Sequence, residues 1–258
     1  MDLKNCYEDE TRANAYAELE FPGTYHLAYR DLPQIILQHV TGKEALDFGC
    51  GTGRSTRFIH QLNFNTTGVD ISREMLLKAM NRDTNINYQL ISPGDLSAFP
   101  EQSFDLISSI FTFDNIPDNA SKLHNLKALS RLLKPSGRIL HLVSAPHIYC
   151  HEWASFTTKA FPENKKAKCG DRVKIIMTDS QDSRPVEDVL CTHKTYKNLF
   201  KKAGLSIETY YDPTGKKNED IPWKSELTLA PWRIYVLKKS EPWSFAFATM
   251  PANYLHRL

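Results

Sequence analysis

Ala45-Leu-Asp-Phe-Gly-Cys-Gly-Thr-Gly53 sets a short apolar run against three alternating glycines. Glycines 49, 51 and 53 let the backbone turn sharply and approach a ligand with no Cβ in the way. Residues 44–48 read as a buried strand and residues 54–62 as a helix. A strand, a glycine turn and a helix in this order make a nucleotide site. A dinucleotide fingerprint would place its third glycine at position 54, where this chain has Arg54, so the spacing is G-x-G-x-G. No Gly-Lys-Ser or Gly-Lys-Thr follows, which excludes a Walker loop.

Outward from this loop, strand-like and helix-like segments alternate. Asp31 and Pro33 open a helix over residues 32–40, and further strands are expected at 66–70, 86–91, 104–111 and 139–143. Ser72 can cap a helix carrying Met75, Leu76 and Ala79 on one face. Leucines 123, 126, 129, 132 and 133 recur at helical spacing, and Lys134-Pro-Ser-Gly137 reads as that helix's stop. Such alternation implies right-handed crossovers and a mainly parallel sheet, so the fold class is α/β. The pattern lapses after Val143, where residues 173–177 and 186–190 suggest a hairpin. It resumes with a helix over 194–203 and strands over 205–211 and 232–237. The expected organisation is an N-terminal arm (1–30), a core (31–143), an inserted substrate lid (144–193), the C-terminal part of the core (194–239) and an aromatic tail (240–258).

Asp70 ends the second strand, where a carboxylate can accept both hydroxyl hydrogens of a ribose. Asp95, in Ser92-Pro-Gly-Asp-Leu96, follows the third strand and can accept from an adenine amino group. With Asp47, three strand-end carboxylates beside a glycine turn point to a nucleoside cofactor without phosphates. Asp47 would repel a pyrophosphate, but not a cationic ligand bearing an amino group.

With these motifs the sequence resembles the class I methyltransferases that use S-adenosylmethionine. The resemblance rests on Leu46-Asp-Phe-Gly-Cys-Gly-Thr-Gly53, Val69-Asp70, Gly94-Asp-Leu96, Phe104-Asp-Leu-Ile107 and Leu133-Lys-Pro-Ser-Gly137, and covers about residues 31 to 238. It implies a Rossmann-like seven-stranded sheet with helices on both faces and an antiparallel last strand. It also implies Asp47, Phe48, Gly49, Cys50, Gly51, Thr52 and Gly53 around the methionine part, Asp70 and Ile71 at the ribose, and Asp95 and Leu96 near adenine. Phe111 and its successors, Thr112-Phe-Asp-Asn-Ile-Pro117, should face the transferable methyl. The chain further resembles bacterial small-molecule methyltransferases carrying His-Glu-Trp-Ala-Ser-Phe, here His151 to Phe156.

Methyl transfer from a sulfonium is an in-line displacement, and positioning alone can supply on the order of 7 to 11 kcal/mol. A general base then serves a hydroxyl or a protonated amine. Asp114 can orient such an acceptor or cap the turn beside Asn115. His151 leads the candidate bases because Glu152 and Trp153 flank it; His147 and Glu152 are the others, set against the alternative of loop groups satisfied by backbone. Trp153 and Phe156 are expected pocket walls. In the arm, Tyr16 and Tyr25 can close over the acceptor and Arg30 can pair with the cofactor's carboxylate, or the rings can simply pack on the body. His147, Cys150, His151, Cys169, Cys191 and His193 are zinc-ligand types without the paired spacing of structural sites, so no metal is expected.

The whole chain of 258 residues carries 32 basic and 30 acidic side chains, a net +2, which disfavours a nucleic-acid coat protein. Residues 159–202 hold 11 basic and 6 acidic residues, leaving 21 and 24 elsewhere: a +5 insertion on a −3 body, suited to an anionic small-molecule acceptor. No apolar run could span a bilayer, and five scattered cysteines suit free thiols, so a cytoplasmic setting is expected. RNA or protein acceptors, or binding of the cofactor without turnover, are the alternatives. Oligomeric state is not readable from the sequence.

Overall fold

The computed structural model describes residues 14, 18, 23–180 and 182–240. In chain order its strands are β1 (Glu44–Phe48), β2 (Asn65–Asp70), β3 (Asn87–Leu90), β4 (Phe104–Ile110), β5 (Leu133–Ser144), β6 (Phe156–Thr157), β7 (Arg172–Met177), β8 (Val186–Val189), β9 (Leu205–Tyr211) and β10 (Trp232–Lys239). The helices of eight or more residues are α1 (Leu32–His39), α2 (Arg54–Gln61), α3 (Arg73–Arg82), α4 (Asn119–Leu132) and α5 (His193–Lys202). One seven-stranded sheet runs β3-β2-β1-β4-β5-β10-β9. β1 to β5 pair in parallel, and β10 lies antiparallel to both its neighbours. The protein is therefore α/β with a Rossmann-like, mainly parallel sheet.

Side chains on a strand alternate between faces, and here each face buries its own core. Ala45, Leu106, Leu140, Leu142, Ile234 and Val236 pack with Ile35 and Ile36 of α1 and Ile59 of α2. Leu46, Ile107, Ile139, Val143, Tyr235 and Leu237 pack with Leu126 and Leu129 of α4 and Leu199 and Phe200 of α5. Within residues 144–193, β6, β7 and β8 form a separate antiparallel sheet whose Phe156, Val173, Ile175, Met177 and Val186 extend the first core.

Lys134-Pro-Ser-Gly137 behaves differently from the helix stop expected. α4 ends at Leu132 and the chain enters β5 directly at Leu133. Register then jumps: Phe104 pairs with Leu133, but Leu106 pairs with Arg138, so the segment with Pro135 and Gly137 bulges opposite Asp105. A bulge tolerates a proline that could not donate to the ladder.

Tyr25 and Tyr29 of the N-terminal segment are buried in the first core. Thr24 donates its hydroxyl to Glu226 Oε1 at 2.6 Å, and the same oxygen accepts the Ala154 N–H at 2.7 Å. Lys224 N–H reaches Glu226 Oε2 at 2.9 Å, while Ser155 and Thr24 exchange two further bonds. Glu226 is fully buried, so one carboxylate joins residues near 24, 154 and 224.

Asp47 does the same inside the sheet. Its Oδ2 accepts the hydroxyls of Ser55 and Thr56 at 2.6 and 2.7 Å, and its Oδ1 that of Ser108 at 2.6 Å. Burial pushes its pKa up, and the three hydroxyls pull against that shift. Replacing Asp47 by Asn offers donors to donors and leaves hydroxyls unpaired. Urea unfolding should register a loss of about 3 kcal/mol.

Candidate active site

The glycine loop leaves β1 with positive φ at Gly49 (74°), Gly51 (55°) and Gly53 (79°). The N–H groups of Gly49 and Cys50 both donate to the Val69 carbonyl, at 2.8 and 3.0 Å. A Cβ on Gly49 would stand 2.2 Å from Thr112 Cγ2, and one on Gly53 2.4 Å from the Tyr88 hydroxyl oxygen. Thr112 in turn donates to the Phe48 carbonyl at 2.9 Å, locking the turn after β4 onto the loop.

Asp70 stands at the loop's mouth. Its Oδ2 accepts the Gly51 N–H at 2.7 Å and its Oδ1 the Ser72 N–H at 2.9 Å, and burial raises its pKa against those bonds. A carboxylate has about four lone-pair positions, so two are still free to accept hydroxyls. Ile71 beside it is 47% exposed, an apolar patch on the rim. Asp95 is exposed; Ser97 donates through its N–H and hydroxyl to Oδ1 and holds the carboxyl below its usual range. Phe48, Cys50, Thr52 and Leu96 are buried beneath. The loop is a cradle that side chains would fill, with half-satisfied carboxylates and no lysine in it. This donor set suits a nucleoside with a cationic tail better than a phosphate ester.

Beyond Thr112 lies a cavity of about 50 Å³. Tyr25, Phe111, Phe156 and Trp232 wall it. Their rings interlock, with Tyr25 to Phe156 at 5.2 Å and Phe111 to Trp232 at 4.7 Å between centroids. Phe111 sits at φ 62°, a left-handed conformation rare outside glycine, at the start of the turn that bears Asp114.

Two buried carboxylates, Asp114 and Asp188, share the lining. Asp114 Oδ2 accepts the Ser144 N–H at 2.9 Å; Asp188 Oδ2 accepts the Tyr149 hydroxyl at 3.0 Å. Burial raises both carboxyls above their usual range, and at Asp188 the charge of Asp114 adds to the effect. Lys122, from α4, is buried beside them. Its Nζ donates to the carbonyls of Phe113 and Ile116 at 2.6 and 2.8 Å, and burial lowers its pKa against the attraction of Cys191, Asp114 and Asp188.

The other expected acceptor residues lie elsewhere. His151 is exposed and outside the cavity lining. Glu152 is spent on its own turn, accepting from Thr157 Oγ1 and the Thr158 N–H, both at 2.8 Å. His147 is tied to the Ala230 carbonyl at 2.6 Å, and burial lowers its pKa. Trp153 is fully buried with its indole N–H on the Ile148 carbonyl at 2.7 Å, a core side chain rather than a wall. Arg30 is paired with Asp31 and, at 2.8 Å, with Glu219, so its fork is turned away from any cofactor carboxylate. Tyr16 and the tail from 241 lie outside the described residues. Lysines 159, 165, 166, 168 and 174 of the basic insertion are exposed to solvent. Among the described residues no three His, Cys, Asp or Glu side chains gather as metal ligands would, and no helix is long and apolar enough to cross a membrane.

Asp188, Tyr149, Lys122 and Trp232 escaped the sequence reading. A signal for one existed: in β8, Val186-Glu-Asp-Val189, Asp188 shares the parity of the buried Val186, and a carboxylate at an inward strand position demands a reason.

Fold and site together define a nucleoside-binding α/β protein with a second, aromatic-walled cavity. Residues 46–141 match the family model described as a methyltransferase domain. The chain is 32% identical over 187 residues to the ubiquinone/menaquinone biosynthesis C-methyltransferase UbiE of Pseudoalteromonas translucida, covering 67% of this chain and 70% of that one. It is 41% identical over 102 residues to a demethylmenaquinone methyltransferase of Tropheryma whipplei, where the match spans 38% of this chain and only 41% of the relative. A crystal structure of an S-adenosylmethionine-dependent methyltransferase from Clostridium acetobutylicum superposes with a TM-score of 0.62 at 18% identity, covering 92% of this chain and all of that one. The chain belongs to the class I S-adenosylmethionine-dependent methyltransferases.

The raised carboxyls make a stability prediction. Asp114 and Asp188 hold protons more tightly folded than unfolded. Their stabilising contribution is thus full below about pH 4, the ordinary carboxylate value, and is lost as pH rises through their raised folded values. Asp188→Asn removes half of this liability. Between pH 5 and pH 8 the melting temperature of the wild type should fall relative to the variant, by about 2–4 °C for each kcal/mol.

Proposed function

We propose that this protein transfers the methyl group of S-adenosylmethionine to an oxygen or nitrogen of a small molecule. The observation that carries the reading is the small aromatic cavity behind the glycine loop, joined to it through Thr112 and Phe111. S-adenosylmethionine supplies a methyl already activated on a sulfonium. When bound, its methionine part would be held by Gly49 to Gly53, its ribose hydroxyls by Asp70, its base beside Ile71 and Leu96, and its amino group by Asp95.

The four rings exclude water and restrict the acceptor to one orientation, and such positioning can supply on the order of 7 to 11 kcal/mol of the barrier. Asp114 and Asp188 are the proton acceptors within that enclosure. A cavity of this size, walled by four aromatic rings, supports a small acceptor over RNA or protein. The names of the quinone-pathway relatives support a small acceptor as well. The exposed lysines of the insertion do not line the cavity, so they lend no support to an anionic acceptor. Scattered free thiols support a cytoplasmic setting.

Calorimetry of the purified protein should detect S-adenosylmethionine binding, and Asp70→Ala should weaken it tenfold or more. Absence of binding by the wild type sinks the proposal. His151→Ala should leave kcat and KM within about twofold, since mutations away from the reacting groups remove no differential binding.

A further inference from the structure

The interior around the cavity does not balance its charge. Asp114 and Asp188 contribute two carboxylates, Lys122 contributes one ammonium, and Glu187, on the outer side of β8, adds negative rather than positive field at Asp188. His141, also buried nearby and feeling the charge of Lys122, is held neutral by burial, with a pKa pushed down to about 3. Among the described residues these two carboxylates thus feel one cation, Lys122, while the buried Arg54 lies behind the cavity wall with its guanidinium 4.8 Å from the centre of the Tyr25 ring; one negative charge is left to balance. A buried ionised carboxylate is costly unless paired, so the deficit is filled by a proton or by a cation from outside.

The geometry favours a cation of one kind. Oδ2 of Asp188 is occupied by Tyr149, but Oδ1 accepts no hydrogen bond from any described residue, although Asp188 is only 7% exposed and lines the cavity. The rings of Tyr25, Phe111, Phe156 and Trp232 line the same cavity as Asp188. Aromatic faces attract ammonium and alkylammonium groups, most strongly when water is excluded. A phenolate or carboxylate would meet two anions in the same space. The cavity's size admits the nitrogen end of a ligand and its first substituents, the remainder extending outward.

Resting on the methyl-transfer reading above, we infer that the acceptor is an alkyl amine, held as its ammonium ion by Asp188 and Asp114 within the aromatic enclosure, and that this pair takes its proton. One N–H proton of R–NH₃⁺ passes to a carboxylate, giving R–NH₂ and a carboxylic acid; the freed lone pair would then form the N–CH₃ bond as the methyl–sulfur bond breaks, giving R–NH₂⁺–CH₃ and neutral S-adenosylhomocysteine as the leaving group. The proton later returns to solvent. Asp188 both selects the acceptor and prepares it, while Lys122 is a positioning residue that holds the turn bearing Asp114.

The test uses the full chain with S-adenosylhomocysteine bound, at pH 8. Propylamine, dimethylamine and tetramethylammonium are compared with phenol, catechol and acetate for thermal stabilisation. Methyl acceptance from labelled S-adenosylmethionine is then compared between the two primary and secondary amines and the two phenols. Amines should stabilise the protein and accept methyl, while phenols and acetate should do neither. Asp188→Asn and Asp114→Asn should each lower kcat/KM for the amines by 100-fold or more with S-adenosylhomocysteine affinity kept within twofold. Tyr149→Phe, which keeps both carboxylates, should cost less than either. Preference for phenols, indifference to every amine, or Asn variants as active as wild type overturns the inference while leaving the methyltransferase reading intact. Loss of S-adenosylhomocysteine binding by the wild type would instead strike at that reading. The wild-type preference decides the matter even if an Asn variant fails to fold.

Discussion

Everything at the working end of this sheet hangs on the carboxylate of Asp47. A charge sealed between β1, α2 and β4 is tolerable only because three hydroxyls converge on it, from Ser55, Thr56 and Ser108. Those bonds fix how α2 leaves the glycine loop and how closely β4 approaches β1. The loop's left-handed glycines then have one conformation available, and Thr112 closes against it at a distance no side chain at position 49 would allow. The cradle and the turn carrying Phe111 and Asp114 are thus a single mechanical unit. A displacement of one is a displacement of the other.

Two polar designs coexist in one molecule. The cradle is built from backbone N–H groups and carboxylates that keep spare lone pairs at a half-open rim. The cavity buries its carboxylates among aromatic rings, where the low dielectric magnifies any mismatch of charge. Glycine geometry governs the first, and charge balance governs the second. Lys122 belongs to the second: its ammonium sits in the charged cluster, and its two carbonyl partners frame the turn after β4.

The parallel half of the sheet was legible because glycine turns, apolar strands and helical leucine spacing all point the same way there. Residues 205–211 were read correctly as a strand, and the hairpin of β7 and β8 fell within a residue of its place. The start of β5 was not legible. Lys134-Pro-Ser-Gly137 carries the composition of a stop, and only pairing with β4 turns it into a bulge. At the cavity, Asp114 and Phe156 were visible as chemistry within a stretch. His151, the leading candidate base, and with it Glu152 and His147 looked suitable as well, because composition does not say whether a polar group is already spent on the backbone. The +5 of the insertion is a sum of the same kind: its lysines face water, while Asp188, which faces inward and lines the cavity, was hidden in it.

Glu226 gives the cavity a late birthday. Its oxygens hold residues near 24, 154 and 224 together, and Trp232, a wall of the cavity, donates to the Thr24 carbonyl at 3.1 Å. On the ribosome, β1 to β5 can associate once residue 144 has emerged, since they pair with one another in the order β3-β2-β1-β4-β5. The enclosure cannot. It waits for a segment more than two hundred residues downstream of Thr24, so the bonds that tie Thr24 to Glu226 and Trp232 close only late in synthesis. The cofactor cradle is complete well before the chamber it serves.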